Sequence, residues 1–246
     1  MAHEQVTIRT KEGECPAQVF TPASGTGPWP GAIVYMDAFA IRPTLTAMAQ
    51  RLADAGYVVL LPDLYYRVGG SPVWNPGELI AGGKFREAIG PFYMSTSPQK
   101  AAADTEALLA YLDGRPDTTG KVGTVGYCMG GAMALVAAGT YPDRIGAAAS
   151  FHGGNLANDN DNSPHLTVVK AKAKVLVAGA DQDNGYPPEI NQRLDHALTE
   201  AGVDHRCEIW PGALHGWTMA DLPVYNAPAA ERHFGELLAL FDRALK

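Results

Sequence analysis

A cysteine between glycines is the residue of this sequence best suited to do chemistry. Cys128 lies in the segment Gly126-Tyr127-Cys128-Met129-Gly130-Gly131, after the apolar run Val122–Val125 and before a stretch of small residues typical of a helix. The pattern matches G-x-S-x-G, a strained turn from strand to helix that exposes a nucleophile, with cysteine in the serine position. Glycines on both sides let the helix approach the sheet, and the helix N-terminus favours a thiolate. We predict that Cys128 is a nucleophile.

Two other interpretations of this segment are weaker. The glycines could belong to a dinucleotide-binding fingerprint, G-x-G-x-x-G, but the residue two places after Gly126 is Cys128 and not glycine. A cysteine at the start of a helix can also be a small buried hydrophobic residue. The combination of strand, turn and helix favours the nucleophile.

A nucleophile of this kind needs a histidine base and a carboxylate that orients the base. In hydrolases built on such a turn they follow in the order nucleophile, acid, histidine. Here the apolar run Val175–Ala178 leads to Asp181 and Asp183, and the run Arg206–Trp210 leads to His215 in a glycine-flanked loop. Parallel sheets place active sites where their strands end. Among seven histidines we therefore predict His215 as the base, and spacing alone leaves both aspartates open as the acid.

The elements that position these residues alternate along nearly the whole chain. Apolar runs of strand length alternate with helical patterns, which is typical of a mostly parallel sheet with helices on both faces. We predict an α/β fold with about eight strands in one domain over residues 1–246, beginning with an edge hairpin of Val6–Arg9 and Ala17–Phe20. Residues 67–97 show no clean period, so we predict an irregular excursion that forms a pocket wall. Helices are predicted around Leu45–Ala53, Asp104–Leu112, Ile190–Ala201 and Glu231–Leu245.

The composition narrows the classes of function. The chain has 246 residues, 46% of them hydrophobic, and a net charge of −7 from 19 basic and 26 acidic side chains. This apolar content excludes disorder, and the acidic balance argues against nucleic acid and anionic lipid as partners. No signal peptide and no run of about 18 apolar residues are recognisable. We therefore expect a cytoplasmic protein that acts on a small molecule, as a monomer or small homo-oligomer.

The cysteine and histidine spacings predict neither a disulfide nor a metal site. Cys15, Cys128 and Cys207 are widely separated, odd in number and form no CxxC pair. The sequence contains no HExxH and no other paired ligand spacing. We expect reduced thiols, no metal and no organic cofactor.

Four landmarks together resemble the dienelactone hydrolase family. They are the elbow Gly126–Gly131, the segment Pro62-Asp63-Leu64-Tyr65 after a strand, the D-x-x-x-P of Asp183–Pro187, and the P-G-A-x-H-G-W of Pro211–Trp217. They run in order over nearly the whole chain. The resemblance implies an α/β-hydrolase fold without a large lid, and hydrolysis of small lactones or esters through a thioester acyl-enzyme.

The resemblance also implies roles for individual residues. Cys128 matches the family's nucleophile and His215 its base. Asp183 matches the acid, because the family's acid is typically followed by three residues and then proline, and Asp181 remains the alternative. The backbone N–H groups of Met129 and Ala38 match the donors of an oxyanion hole.

Two departures from the family pattern bear on activation and substrate. Asp37 stands where the family has an activating glutamate, so its shorter side chain either activates the nucleophile or orients the loop before a helix near Pro43. Met219 stands where dienelactone hydrolases have an arginine that holds the substrate carboxylate, which favours a neutral substrate. Arg42 or Arg86 could supply a replacement charge. Further substrate contacts are expected from aromatic residues that include Phe39 and Trp217.

Two alternatives to a lactone or ester hydrolase of this family stay open from the sequence. One is a general carboxylesterase or thioesterase that acts on another acyl substrate. The other, from a different class, is a non-catalytic binding protein or a redox sensor that uses Cys128 as an oxidisable thiol. The ordered set of nucleophile, acid and histidine favours an enzyme, because a sensor needs neither the acid nor the base.

Overall fold

Eight strands form one sheet in the computed structural model, which describes residues 2–246. The strand order is β1-β2-β4-β3-β5-β6-β7-β8, with β1–β2 and β2–β4 antiparallel and all other pairs parallel. The predicted α/β fold class and the predicted edge hairpin are confirmed. The strands are β1 (Ala2–Arg9), β2 (Glu14–Thr21), β3 (Trp29–Tyr35), β4 (Val58–Pro62), β5 (Thr118–Tyr127), β6 (Ile145–Phe151), β7 (Lys174–Ala180) and β8 (His205–Trp210).

Eight α-helices lie between or after these strands in the described residues. The first, α1, buries a stripe of apolar side chains and is followed by Gly56 in the left-handed conformation, with φ of +97°. None of the helices in residues 2–246 is long and apolar enough to cross a membrane. The helices are α1 (Pro43–Asp54), α2 (Pro76–Ala81), α3 (Phe85–Tyr93), α4 (Pro98–Asp113), α5 (Met129–Thr140), α6 (Pro164–Val168), α7 (Pro188–Glu200) and α8 (Ala227–Leu245).

Residues 67–97 are more regular than the sequence predicts. They hold most of a short 3₁₀-helix (Tyr66–Val68) together with α2 and α3. Helix α2 begins after Asn75, whose side chain accepts a hydrogen bond from the Glu78 N–H, and has proline in its first turn. Helices of six and nine residues are too short to show a clear period of 3.6, which is why the prediction of an irregular excursion was wrong.

The parallel strands carry their following loops to the same edge of the sheet. Helix α5, which starts at this edge, is buried along all but its last residue and packs against β5, β6, α4 and α6. Only small and apolar residues fit such a position, because every face of the helix meets protein. The loops that follow β3, β5, β6, β7 and β8 bring Asp37, Cys128, His152, Asp183 and His215 to this edge.

Candidate active site

The turn around Cys128 is strained and closely packed. Cys128 follows β5 directly, with φ of +54° and ψ of −117°, a conformation that a residue with a side chain rarely adopts. A Cβ at Gly126 would lie 1.8 Å from the Gly130 carbonyl oxygen, and one at Gly130 would lie 2.3 Å from the Tyr35 carbonyl oxygen. Both glycines are therefore required by backbone contacts. The geometry agrees with a nucleophile elbow.

The structure brings His215 and Asp183 into direct contact. His215 Nδ1 lies 2.7 Å from Asp183 Oδ2, and the Gly185 N–H donates to Asp183 Oδ1 at 2.8 Å. Asp181 does not reach His215. Its Oδ2 accepts a hydrogen bond from the Gly212 N–H at 2.8 Å, which ties the loop after β7 to the loop that carries the histidine.

The contact with Asp183 changes the electrostatics of both groups. Burial alone would lower the pKa of His215, but hydrogen bonds to Asp183 and Cys128 and the charges of both raise it to about 10. Burial would raise the pKa of Asp183, and the hydrogen bond and charge of His215 lower it below its ordinary value. The His215 side chain is 39% exposed and that of Asp183 11%, so solvent reaches the imidazole and scarcely reaches the carboxylate. The arrangement favours a charged imidazole at neutral pH.

A second histidine, which no sequence motif singles out, supports the elbow. His152 follows β6, is fully buried, and its Nδ1 accepts a hydrogen bond from the Cys128 N–H at 3.1 Å. Its Nε2 lies 2.8 Å from Thr218 Oγ1, so the proton is assigned to Nε2. Burial and then the charge of His215 lower the pKa of His152 well below 6.5. The sequence signal for it is a histidine before two glycines, directly after the largely apolar run Ala147–Phe151.

An apolar cavity of about 260 Å³ opens onto these groups. Of the predicted site residues, Asp37, Ala38, Phe39, Cys128 and His215 line it. The remaining lining is almost entirely apolar and comes in part from α2 and α3, in agreement with the predicted pocket wall. The other lining residues are Ile80, Phe85, His152, Gly216, Leu222, Pro223 and Val224.

Of the two predicted oxyanion donors, Ala38 lines this cavity and Met129 directly follows Cys128 in the chain. Met129 is the first residue of α5, where a backbone N–H has no acceptor within its own helix. Ala38 lies in a turn held on both sides: the Phe39 N–H donates to Asp37 Oδ1 at 3.0 Å, and the Tyr65 hydroxyl donates to the Ala38 carbonyl at 3.0 Å. The turn that carries the Ala38 N–H is thus fixed.

Asp37 and Arg42 form a buried ion pair. Arg42 Nη1 and Nη2 donate to the two oxygens of Asp37 at 2.7 and 3.0 Å, and Arg42 Nε donates to Asp221 Oδ2 at 2.6 Å. Burial raises the pKa of Asp37, and Arg42 opposes this rise. The Arg42 side chain is 5% exposed and holds two carboxylates, so the predicted substrate contact from Arg42 is replaced by a structural role. Arg86 is exposed on α3 and does not line the cavity.

Trp217 and Met219 also lie outside the lining of the cavity. Both have no exposed surface, and the Trp217 ring packs edge-on against the His152 ring with centroids 4.9 Å apart. The expected substrate contact from Trp217 is therefore corrected to a packing role, because its ring packs against His152 and Trp210 and does not line the cavity. No lysine or arginine is among the described residues that line the cavity.

Comparisons with known proteins agree with the sequence landmarks. The profile of the dienelactone hydrolase family matches residues 15–245. A carboxymethylenebutenolidase from Pseudomonas putida is 31% identical over 196 residues, which cover 79% of this chain and 77% of that protein. Two solved structures share the fold. A dienelactone hydrolase-like promiscuous phosphotriesterase from metagenomic libraries has a TM-score of 0.79 at 23% identity, covering 99% of this chain and 98% of the other. A dienelactone hydrolase from Anabaena variabilis has a TM-score of 0.68 at 21% identity, covering 100% and 99%.

Proposed function

Because the chain belongs to the dienelactone hydrolase family and is a hydrolase, we propose that it cleaves small, neutral lactones or esters through a thioester on Cys128. His215 serves as the proton carrier and Asp183 orients it. The observation that carries this proposal is the 2.7 Å contact between Asp183 and His215 at a cavity that Cys128 also lines.

Acylation starts from Cys128 as a thiolate beside a protonated His215. The sulfur attacks the carbonyl carbon, and the negative charge that develops on the carbonyl oxygen is held by the N–H groups of Met129 and Ala38. When the tetrahedral intermediate collapses, the C–O bond breaks and His215 gives its proton to the departing alkoxide. An ester releases an alcohol at this step, and a lactone keeps the new hydroxyl on the acyl group.

Deacylation needs His215 to act as a base. Acylation of Cys128 makes this possible, because it lowers the pKa of His215. Two of the influences that raise the pKa of His215 come from Cys128, its hydrogen bond and its charge. Both end when the sulfur enters a thioester, so the pKa of His215 falls and the imidazole becomes able to take a proton from water. The resulting hydroxide attacks the thioester, releases the acid and restores the thiolate with a protonated His215.

His152 is a positioning residue in this scheme. It accepts the Cys128 N–H and stays neutral next to His215, because burial disfavours a second positive charge there. The hydrogen bond from the Cys128 N–H to the neutral His152 therefore holds the elbow without placing a second cation beside the thiolate.

The cavity supports a neutral and largely apolar substrate. Its described lining contains no free cation: Arg42 lies outside the lining and is paired with both Asp37 and Asp221. The protein's net charge of −7 opposes an anionic ligand. A volume of about 260 Å³ fits a small acyl group.

Intact-protein mass spectrometry during turnover of a simple aryl ester tests the covalent step. We expect an added acyl mass on the wild type and on Cys15→Ala, a control that removes a buried thiol of β2, and neither acylation nor turnover with Cys128→Ala. Retained turnover in the folded Cys128→Ala variant would overturn the nucleophile.

Matched ester substrates with and without a carboxylate test the substrate class separately. We expect a higher kcat/KM for the neutral member of each pair, because the cavity lining offers no lysine or arginine to replace the water around a carboxylate. A preference for the charged members would reject the neutral substrate and leave the thioester mechanism intact.

A further inference from the structure

A cluster of three side chains at the edge of the sheet combines nitrogen, sulfur and oxygen donors. Asp195 lies on α7, and His205 and Cys207 lie on β8, the last strand in the sheet order. One ligand atom from each residue lies within 4.8 Å of the other two. We propose that Asp195, His205 and Cys207 bind a zinc ion that links α7 to β8. The spacing along the chain matches no metal motif, so only the fold reveals this cluster.

The orientation of His205 suits a metal ligand. Its Nδ1 lies 2.8 Å from the Val203 carbonyl oxygen, to which it donates, and its Nε2 lies 3.1 Å from Asp195 Oδ1. Metal-bound histidines usually donate their second ring nitrogen to a carboxylate or backbone carbonyl, which fixes the ring. Nε2 is thus the ring nitrogen that faces Asp195 Oδ1, and a metal ion there would take the place of the hydrogen that Nε2 donates to this carboxylate.

The local structure explains why the three donors meet. His205 and Cys207 are two residues apart on a strand, so their side chains lie on the same face of the sheet. Helix α7 packs against β8 and supplies Asp195. The His205 side chain is 10% exposed and that of Asp195 is 50% exposed, so the cluster is anchored on one side and open to solvent on the other. Water can complete the coordination from the open side.

The donor set selects zinc among common divalent cations. Thiolate and imidazole ligands suit Zn²⁺, whereas Mg²⁺ and Ca²⁺ prefer oxygen alone. Bonds of about 2.0–2.3 Å in a tetrahedral site keep the ligand atoms about 3.3–3.6 Å apart. Because the three atoms already lie within 4.8 Å, small side-chain rotations bring them to this spacing.

The site is separate from the candidate active site. Cys207 pairs with Val177 in the middle of β7, whereas Asp183 lies beyond the end of that strand. Zinc at the edge strand is therefore expected to stabilise the folded chain through binding linkage, without touching the reacting groups.

Calorimetric titration of the full-length Cys128→Ala protein with zinc chloride tests the proposal, because this variant lacks the active-site thiol. We expect one zinc ion per chain. Adding either His205→Gln or Cys207→Ser to the Cys128→Ala protein should lower the zinc affinity at least tenfold. His196→Gln is the matched control. His196 is an exposed histidine of α7 that pairs with Glu200, and its replacement should leave the affinity unchanged.

Cobalt(II) gives an independent spectroscopic readout on the same proteins. We expect tetrahedral cobalt absorption with a thiolate charge-transfer band, and loss of that band with Cys207→Ser. Absence of zinc binding, equal affinity after His205→Gln, or a cobalt spectrum without sulfur ligation would each overturn the site. None of these results would bear on ester hydrolysis by the wild type.

Discussion

Replacing Asp183 with asparagine changes one group next to His215 and leaves the shape of the loop intact. The Gly185 N–H holds Asp183 Oδ1 at 2.8 Å, so an asparagine keeps its carbonyl oxygen toward Gly185. Its NH₂ group then takes the position of Oδ2, 2.7 Å from His215 Nδ1. Nδ1 must accept from this donor, so the ring proton moves to Nε2.

The expected loss of kcat has two sources: the hydrogen bond between Asp183 and His215, and the tautomer of the His215 ring. A hydrogen bond to a charged group contributes about 1.5–3 kcal/mol, which corresponds to roughly 10- to 150-fold in rate. The wrong tautomer adds to this, because Nε2 is the nitrogen left to exchange a proton with Cys128, and the total approaches about 10⁴-fold in kcat. We expect kcat to fall far more than KM rises, since the apolar cavity is unchanged.

Steady-state hydrolysis of a neutral aryl ester measures this loss, with Asp181→Asn as the matched control. The Asp181 side chain accepts a hydrogen bond from the Gly212 N–H, and the amide oxygen of an asparagine can accept the same bond. We therefore expect kcat to change by less than about threefold in Asp181→Asn. Circular dichroism verifies that both variants are folded. The reasoning is refuted if Asp183→Asn stays within threefold of wild type, or if Asp181→Asn loses as much.

Three further predictions concern the elbow, the base and the buried ion pair. Gly126→Ala forces a Cβ to within 1.8 Å of the Gly130 carbonyl oxygen, and we expect urea unfolding to show a loss of about 3 kcal/mol or more. NMR titration should give His215 a pKa of about 10 and a lower one in Cys128→Ala. The pKa of His215 in the folded protein exceeds its value near 6.5 in the unfolded chain, so the stability contributed by its protonation is complete below about pH 6.5 and is lost as pH rises through about 10. An equal dependence of the unfolding free energy on pH in the wild type and in Cys128→Ala would contradict this prediction. Arg42→Met strands a buried carboxylate and should destabilise the fold by about 3–5 kcal/mol at neutral pH, as measured by urea unfolding, and by less in acid.

Most of the fold follows from patterns between near neighbours in the sequence. Apolar runs of strand length, helical stripes and turn glycines each act over a few residues. For this reason the sequence predicts the eight strands and the longer helices in the order in which they follow one another along the chain. The elbow is only partly of this kind. The decisive contact of Gly126 is with Gly130 in the same turn, whereas that of Gly130 is with Tyr35 and forms only when β3 lies beside β5. Helices α2 and α3 escape prediction because they are too short for a period to show.

Contacts between distant loops depend on tertiary structure alone. Asp181 and Asp183 end the same strand, and only the course of the two loops beyond the sheet brings Asp183 rather than Asp181 to His215. Arg42 is neutralised partly by Asp221, 179 residues away, so its free charge could not be judged from its neighbours in the sequence.

His152 and the zinc cluster show the same limit. His152 acquires its partner only when β6 lies beside β5, and the three proposed zinc ligands meet only because α7 packs on β8. The sequence determines which residue types can do chemistry and which elements carry them. Distances of 3 Å between side chains, which decide ionisation and ligation, are set only when the ends of separate elements pack together.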